Sequence, residues 1–396
     1  MRGAAISAKL PTSVVPISHG LVGLLFLGGA WLTLYLFQLP LPAGAWLVLL
    51  SAAVPLLVLE SGRSGRPPRN ARNPQPAVWL LGFVVGSAPF IAIHSVVSSL
   101  SWIAVYWIVI LPAFLIKLWF ERWRPFTGTP ILIGQALLKR DWKGLVADDV
   151  RLWAVKAFFM PVYAMWLFGL ATYAPGIELT GIGIVLFAVS FTYAVDLAMA
   201  LSGCVFATRA TLFSTQPRLI GWVVCLICYP PFLAFWDEYH RVGNKQGSWP
   251  SLMNSEPLAV AGGVLMAGFL ILYISATVVF GLRFSNLTNR GVITTGPYRL
   301  MKHPAYFAHV ANAWVVTFIL FPAAGLPVTL HTMLIPVVFT IIYWLRAITE
   351  EQHLSENVAY REYSAWIAEH GLFARIKKAI SIRPLMRSGP AIDLES

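Results

Sequence analysis

Pro257-Leu-Ala-Val-Ala-Gly-Gly-Val-Leu-Met-Ala-Gly-Phe-Leu-Ile-Leu-Tyr-Ile-Ser-Ala-Thr-Val-Val-Phe-Gly281 carries no charged side chain from end to end. A helix that crosses a bilayer needs about 20 predominantly apolar residues, and this stretch supplies them. It reads as a membrane-spanning helix. Working outward, similar apolar runs cover 19–37, 43–60, 77–97, 101–120, 152–172, 177–200, 219–236, 305–326 and 328–348. Pro55, Pro89, Pro112, Pro161, Pro230, Pro231 and Pro336 fall inside these runs. Membrane helices tolerate proline because neighbouring groups satisfy the freed backbone. The expected fold class is therefore all-α: a polytopic integral membrane helix bundle of about ten transmembrane helices.

Composition agrees. The chain of 396 residues is 58% hydrophobic and 12% charged, with a mean hydropathy of +0.70. Soluble domains carry roughly 25% charged residues, so a soluble enzyme, a disordered chain and a fibrous protein are all excluded. The 29 Lys+Arg against 17 Asp+Glu give a net charge of +12. In this setting the excess reads as basic loops facing an anionic leaflet, not as a nucleic-acid surface. Alternate loops confirm the pattern: 26 of the basic residues fall on one side, Arg241 and Lys245 on the other, and Lys156 within a span. Positive loops stay cytoplasmic, which places both termini in the cytoplasm and the 237–256 loop outside. Residues 1–18 are polar and Pro-interrupted, and no cleavable signal peptide is expected.

Mass outside the membrane concentrates on the basic side. Residues 121–151, with Trp123 and Trp142, read as an interfacial helical segment. Residues 351–380 read as an amphipathic cytoplasmic helix, with Leu354, Tyr360, Tyr363, Trp366, Ile367 and Leu372 set among charges. The last residues, with Pro384, Gly389 and Pro390, read as a flexible tail.

Two polar clusters flank the last helical hairpin. The first runs from Gly291 to Tyr306 and contains Gly296, Pro297, Tyr298, Lys302, His303 and Pro304. Proline suits the first turn of a helix, so Pro304 puts His303 at the N-cap of the ninth span, beside free N–H donors and the positive dipole end. The second runs Arg346-Ala-Ile-Thr-Glu350-Glu351-Gln-His353-Leu354. Residues four apart share a helix face, so Arg346 and Glu350 point together. A short turn between Pro322 and Pro327 returns the second cluster beside the first, and His303, Tyr298 and Tyr306 converge there with Arg346 and Glu350.

Taken together, these residues resemble the isoprenylcysteine carboxyl methyltransferase family and its relatives among phospholipid methyltransferases. The family pattern [LV]-[LV]-T-x-G-x-Y, then R-H-P-x-Y-x-G, then R-x-x-x-E-E-x-x-L is matched by Val292-Ile293-Thr294-Thr295-Gly296-Pro297-Tyr298, by Lys302-His303-Pro304-Ala305-Tyr306, and by Arg346 to Leu354. Ala359-Tyr360-Arg361-Glu362-Tyr363 is similar to the ending of bacterial relatives. Lys302 stands for the usual arginine and Ala308 for a common glycine. The resemblance implies a membrane-embedded methyltransferase that uses S-adenosylmethionine and a lipophilic or small thiol, carboxyl or amine acceptor. It implies cofactor contacts from Val292, Ile293, Tyr298, His303, Pro304, Ala305, Tyr306 and Glu350, with Arg346 and Glu350 as catalytic residues and Arg346 facing the acceptor. A sulfonium suits Glu350 and aromatic faces. It divides the chain into an N-terminal membrane region (1–256), a methyltransferase core (257–380) and a tail (381–396). It also implies a bacterial inner membrane, no nucleic acid and no obligate protein partner.

Other polar residues in spans are weaker candidates. Asp196 is an intramembrane acid, expected to contact the acceptor or to pair with Arg209 or another basic residue. His94 and His331 read as core histidines. Cys225 and Cys228 form a C-x-x-C without a second ligand pair, so no metal is expected. The competing readings are an NADPH-dependent sterol-type reductase, which shares a His-Pro-x-Tyr segment, and a transporter, which lacks its expected repeated halves.

Overall fold

The computed structural model describes residues 10–40, 43–63, 76–97, 106–121, 129–143, 145–173, 180–207, 211–230, 232, 256–320 and 326–382. These form α1 (Ile17–Phe37), α2 (Ala43–Arg63), α3 (Pro76–Val97), a π-helical turn (Tyr106–Ile110) leading into α4 (Leu111–Glu121), α5 (Thr129–Lys139), α6 (Ala147–Tyr173) and α7 (Gly181–Phe206). The strand β1 (Ser214–Thr215), α8 (Leu219–Leu226), α9 (Glu256–Val278), β2 (Thr288–Asn289), α10 (Pro304–Leu320), α11 (Leu326–Leu354), α12 (Val358–His370) and α13 (Leu372–Ile382) complete the chain.

The result is an all-α membrane-type bundle. Among the described residues four helices are long and apolar enough to cross a membrane: Ile17–Phe37, Ala147–Ala171, Gly183–Phe206 and Val260–Val278. Ala43–Leu59 and Ala77–Ile93 are shorter apolar helices. The stretch 219–236, expected to be one crossing, begins as α8 and gives way to turns after Leu226. At about 1.5 Å per residue α8 is roughly 12 Å long, well short of a hydrocarbon core of about 30 Å. The 237–256 loop, Arg209 and the tail from 383 lie outside the described residues, as do the side chains of His94 and His331.

One apolar core runs through α1, α2, α3, α4, α6 and α7 around Trp31, Phe114, Phe159, Met160, Met199 and Leu201. α9 packs along α7 and α10, and Ile274 and Val278 join the core from its C-terminal half. α10 packs on α11, and α8 on α11. Loops gather at one end of the bundle. Here β1 pairs antiparallel with β2, matching Ser214 with Asn289 and Thr215 with Thr288. Asp148, in the first turn of α6, accepts the Thr215 N–H at 2.9 Å. Lys156 donates to the Ala207 carbonyl at the end of α7. The N-terminal segment joins the same end: Val14 N–H donates to Val292 O (3.1 Å), and the Thr294 hydroxyl to Pro11 O (2.9 Å).

Candidate active site

A left-handed turn shapes the loop that carries the first cluster. Gly291 sits at φ +84°, where a Cβ would press on Val14 and Phe213. Gly296 follows at φ +59° and opens the turn Gly296–Arg299. Only glycine occupies such backbone without cost, which fixes both positions. α10 then starts at Pro304, with His303 immediately before it.

Across from this loop, α11 continues past the membrane-length segment to Leu354, so Arg346, Glu350 and Glu351 stand on a rigid helix. The two clusters meet. Glu350 accepts a hydrogen bond from the Tyr306 hydroxyl at 2.7 Å and pairs with Arg290 at 3.3 Å. Glu351 pairs with Lys302 at 2.6 Å and with His303 Nε2 at 2.9 Å. The His303 and Tyr306 rings stack in parallel, 5.2 Å apart. Arg346, 5% exposed, lies over the Tyr343 and Tyr306 rings at 5.0 and 5.1 Å.

Charge is balanced locally. Burial pushes the Glu350 carboxyl up, but Arg290, His303 and the Tyr306 hydroxyl outweigh it and hold the group below its ordinary value. Burial acts likewise on Glu351, where hydrogen bonds from His303 and Lys302 prevail and bring it to about 2. Both carboxylates are therefore ionised at neutral pH.

α12 closes the cleft. Asn357 caps it, accepting from the Ala359 N–H at 2.9 Å. The Tyr363 hydroxyl donates to the Tyr298 carbonyl at 2.7 Å and reaches Met301 O at 3.3 Å, bolting α12 to the glycine-shaped loop. Tyr360 and Tyr363 pack with Val292 and Ile367. Trp366 packs against this cluster and stacks on His370 at 4.9 Å, and it is absent from the cleft wall.

The wall of this cleft includes Val292, Ile293, Tyr298, His303, Ala305, Tyr306, Arg346 and Glu350. Pro304 starts α10 but is not part of the wall. Its free volume is about 100 Å³. Tyr229, Tyr273, Phe284, His309 and Tyr343 form a shared boundary with a second chamber of about 690 Å³ inside the bundle. Asp196 lines only this chamber. It does not pair with a base among the described residues. The Thr277 hydroxyl donates to its Oδ1 at 3.0 Å, and Tyr273 lines the same chamber.

Several wall residues escaped the sequence reading. Arg290 precedes the recognised motif by one residue and has no signal of its own. Asn286 donates to the Tyr163 and Tyr229 hydroxyls at 2.7 and 3.1 Å, joining α6, the turn after α8 and the loop after α9. His309 directly follows Ala308, the glycine position of the second motif. Tyr229 follows the C-x-x-C, whose thiols belong to no metal-binding group among the described residues.

Residues 257–361 match the phospholipid methyltransferase family model. No curated protein and no solved structure matches the chain. The matched segment supplies α9, the glycine-shaped loop, α10 and α11, hence most of the cleft wall. Asp196, Tyr163 and Tyr229 lie outside it.

Proposed function

We propose that this chain, whose residues 257–361 match the phospholipid methyltransferase family model, is a membrane methyltransferase that uses S-adenosylmethionine to methylate a lipophilic acceptor. The observation that carries the reading is the meeting of the two motif clusters in one cleft through Tyr306–Glu350 and His303–Glu351. When bound, S-adenosylmethionine supplies a methyl group activated by a sulfonium.

The residues present fit that group. Glu350 provides an ionised carboxylate beside the Tyr298 and Tyr306 ring faces, and carboxylate plus aromatic surface is the pairing that holds an organic cation. Arg290 and His303 provide donors for the donor's own carboxylate. Among the described residues the Tyr360 hydroxyl is buried without a hydrogen-bond partner, and a buried donor of this kind calls for a ligand acceptor. The cleft's free volume lies below the 300–1,000 Å³ usual for small-molecule sites, so the cofactor displaces lining side chains on binding. Arg346 and Glu350 are the catalytic pair of this reading. Residues 257–380 form the methyltransferase core, 1–256 build the acceptor side, and 381–396 serve neither.

The fold reading that accompanies it is ten crossings with both termini cytoplasmic, the seventh made by α8 and the chain after it rather than by one continuous helix. Its support is the gathering of Pro11, Thr129, Ala207, Ser214, the 282–304 loop and α12 at one end of the bundle, which is the basic end of the sequence. Most binding energy in such a site goes to orienting the reacting groups, because displacement at a methyl carbon is governed by alignment.

The test is isothermal titration of the full chain in detergent with S-adenosylhomocysteine. Binding is expected. His303→Ala and Glu350→Ala each remove a polar partner from a desolvated cleft, costing about 1–3 kcal/mol, or roughly 5–150-fold in affinity. Unchanged affinity in both variants would place the cofactor elsewhere.

A further inference from the structure

His309 stands where the cleft and the chamber meet, and the reading above leaves it without a task. It lies on α10 and lines both spaces. Its ring rests on Tyr273 at 4.3 Å, Tyr343 at 5.6 Å and Phe339 at 6.1 Å. Among the described residues no hydrogen bond reaches either ring nitrogen. A neutral imidazole holds one lone pair able to take a proton, and here that lone pair is uncommitted.

The charges around the junction discriminate among acceptors. Arg346 puts a guanidinium on the Tyr343 ring, which forms part of the shared boundary. Asp196 puts a carboxylate on the chamber wall with no cation beside it among the described residues. An acceptor that reacts through a carboxylate would meet that like charge in a low-dielectric space, and it has no proton for His309 to remove. An ammonium would meet Arg346 at the boundary, while Asp196 already accepts the Thr277 hydroxyl. A hydroxyl satisfies every group present and, being less acidic than a thiol, is the neutral acceptor that needs a base. It enters neutral, its proton has a base, and Arg346 stabilises the negative charge that develops on oxygen.

Resting on the methyltransferase reading, we infer that the acceptor is a compact lipophilic alcohol or phenol seated in the 690 Å³ chamber, with His309 as the base that takes its hydroxyl proton. The O–H bond breaks toward the imidazole nitrogen. The oxygen pair forms the bond to the methyl carbon, and the carbon–sulfur pair leaves with sulfur. The products are a methyl ether, S-adenosylhomocysteine and a protonated His309, which returns its proton to water.

Two readouts test this on the full chain in detergent. An alkylated nitrophenol reports its own ionisation by its visible band. Bound to the wild type it should ionise at a lower pH than when bound to His309→Ala or His309→Gln. Methyl transfer is then compared for para-octylphenol, octylbenzoate and octylamine. The ether should form from octylphenol alone. Both His309 variants should lose on the order of a hundred- to ten-thousandfold in that rate, as for removal of a general base, and keep S-adenosylhomocysteine affinity within about threefold. A polyfluorinated phenol, already ionised in solution, should be methylated by the variants nearly as fast as by the wild type. A methyl ester from octylbenzoate, an N-methylated octylamine, no methylated probe at all, or equal losses for both phenols would overturn the inference. Failure of the wild type to bind S-adenosylhomocysteine would overturn the methyltransferase reading as well, and only that outcome would.

Discussion

Glu350 and Glu351 are neighbours in sequence and serve different partners, because adjacent helical positions point about 100° apart. Glu350 faces Arg290 and Tyr306, and Glu351 faces Lys302 and His303. The i, i+4 spacing of Arg346 and Glu350 was legible in the sequence. The Arg290 contact was not, since it depends on how the left-handed turn at Gly291 folds the loop back onto α11. Arg290→Ala leaves Glu350 short of its closest cation and should destabilise the protein by about 1–3 kcal/mol, read as a lowered thermal midpoint. Glu351 carries a pH signature. Its folded value of about 2 lies below the unfolded value of about 4.3, so its stabilisation is complete above the latter and is lost as pH falls toward the former. Thermal midpoints followed from about pH 5 down to about pH 3 should fall less steeply in Glu351→Gln than in the wild type. Parallel curves would show that the Lys302–Glu351–His303 contact contributes nothing.

At the scale of elements, the segment after the last span is three pieces where one amphipathic helix was expected over 351–380. α11 runs on to Leu354, Asn357 caps α12, and Gly371 separates α12 from α13. The apolar periodicity of 351–380 was readable, but the breaks are set by contacts: Leu372 N–H donates to Leu300 O at 2.7 Å, and Gly371 packs against the same carbonyl. Tyr363→Phe removes the bolt between α12 and the glycine-shaped loop and should weaken S-adenosylhomocysteine binding about 5-fold or more, with the helix content by circular dichroism unchanged. Deleting 351–396 should abolish binding, and deleting only residues after 382 should preserve it. A second element-level contact is the crossing of α7 under the loop after α9. A Cβ on Gly203 would run into the Phe284 carbonyl, whereas one on Gly268 meets nothing within 4 Å. Gly203→Ala should therefore lower both the thermal midpoint and activity, because Phe284 borders cleft and chamber, and Gly268→Ala should change neither.

For the whole molecule, the distribution of basic residues and the fold point the same way. The loops that hold 26 of the 29 Lys+Arg include those that meet at the cleft end of the bundle. Ten crossings require the 237–256 loop to face the opposite compartment. A cysteine introduced as Ser248→Cys should react with an impermeant maleimide added from outside intact cells, and reaction only after the cytoplasmic face is exposed would refute the arrangement. Composition and apolar run length determined that this is an all-helical membrane protein, because water-excluded backbone leaves few other structures open. Motif spacing alone brought Arg346, Glu350, His303 and Tyr306 toward one another, because helix period and a short hairpin are local properties of the chain. What the tertiary structure decided is long-range: that Asp196 of α7 faces Tyr273 and Thr277 of α9 rather than a base, that Arg290 claims Glu350, that α8 stops after Leu226, and that His309 opens onto two cavities at once. Each of these joins residues far apart in the chain or depends on space left between helices, and the packing that creates such neighbours has no local signal in sequence.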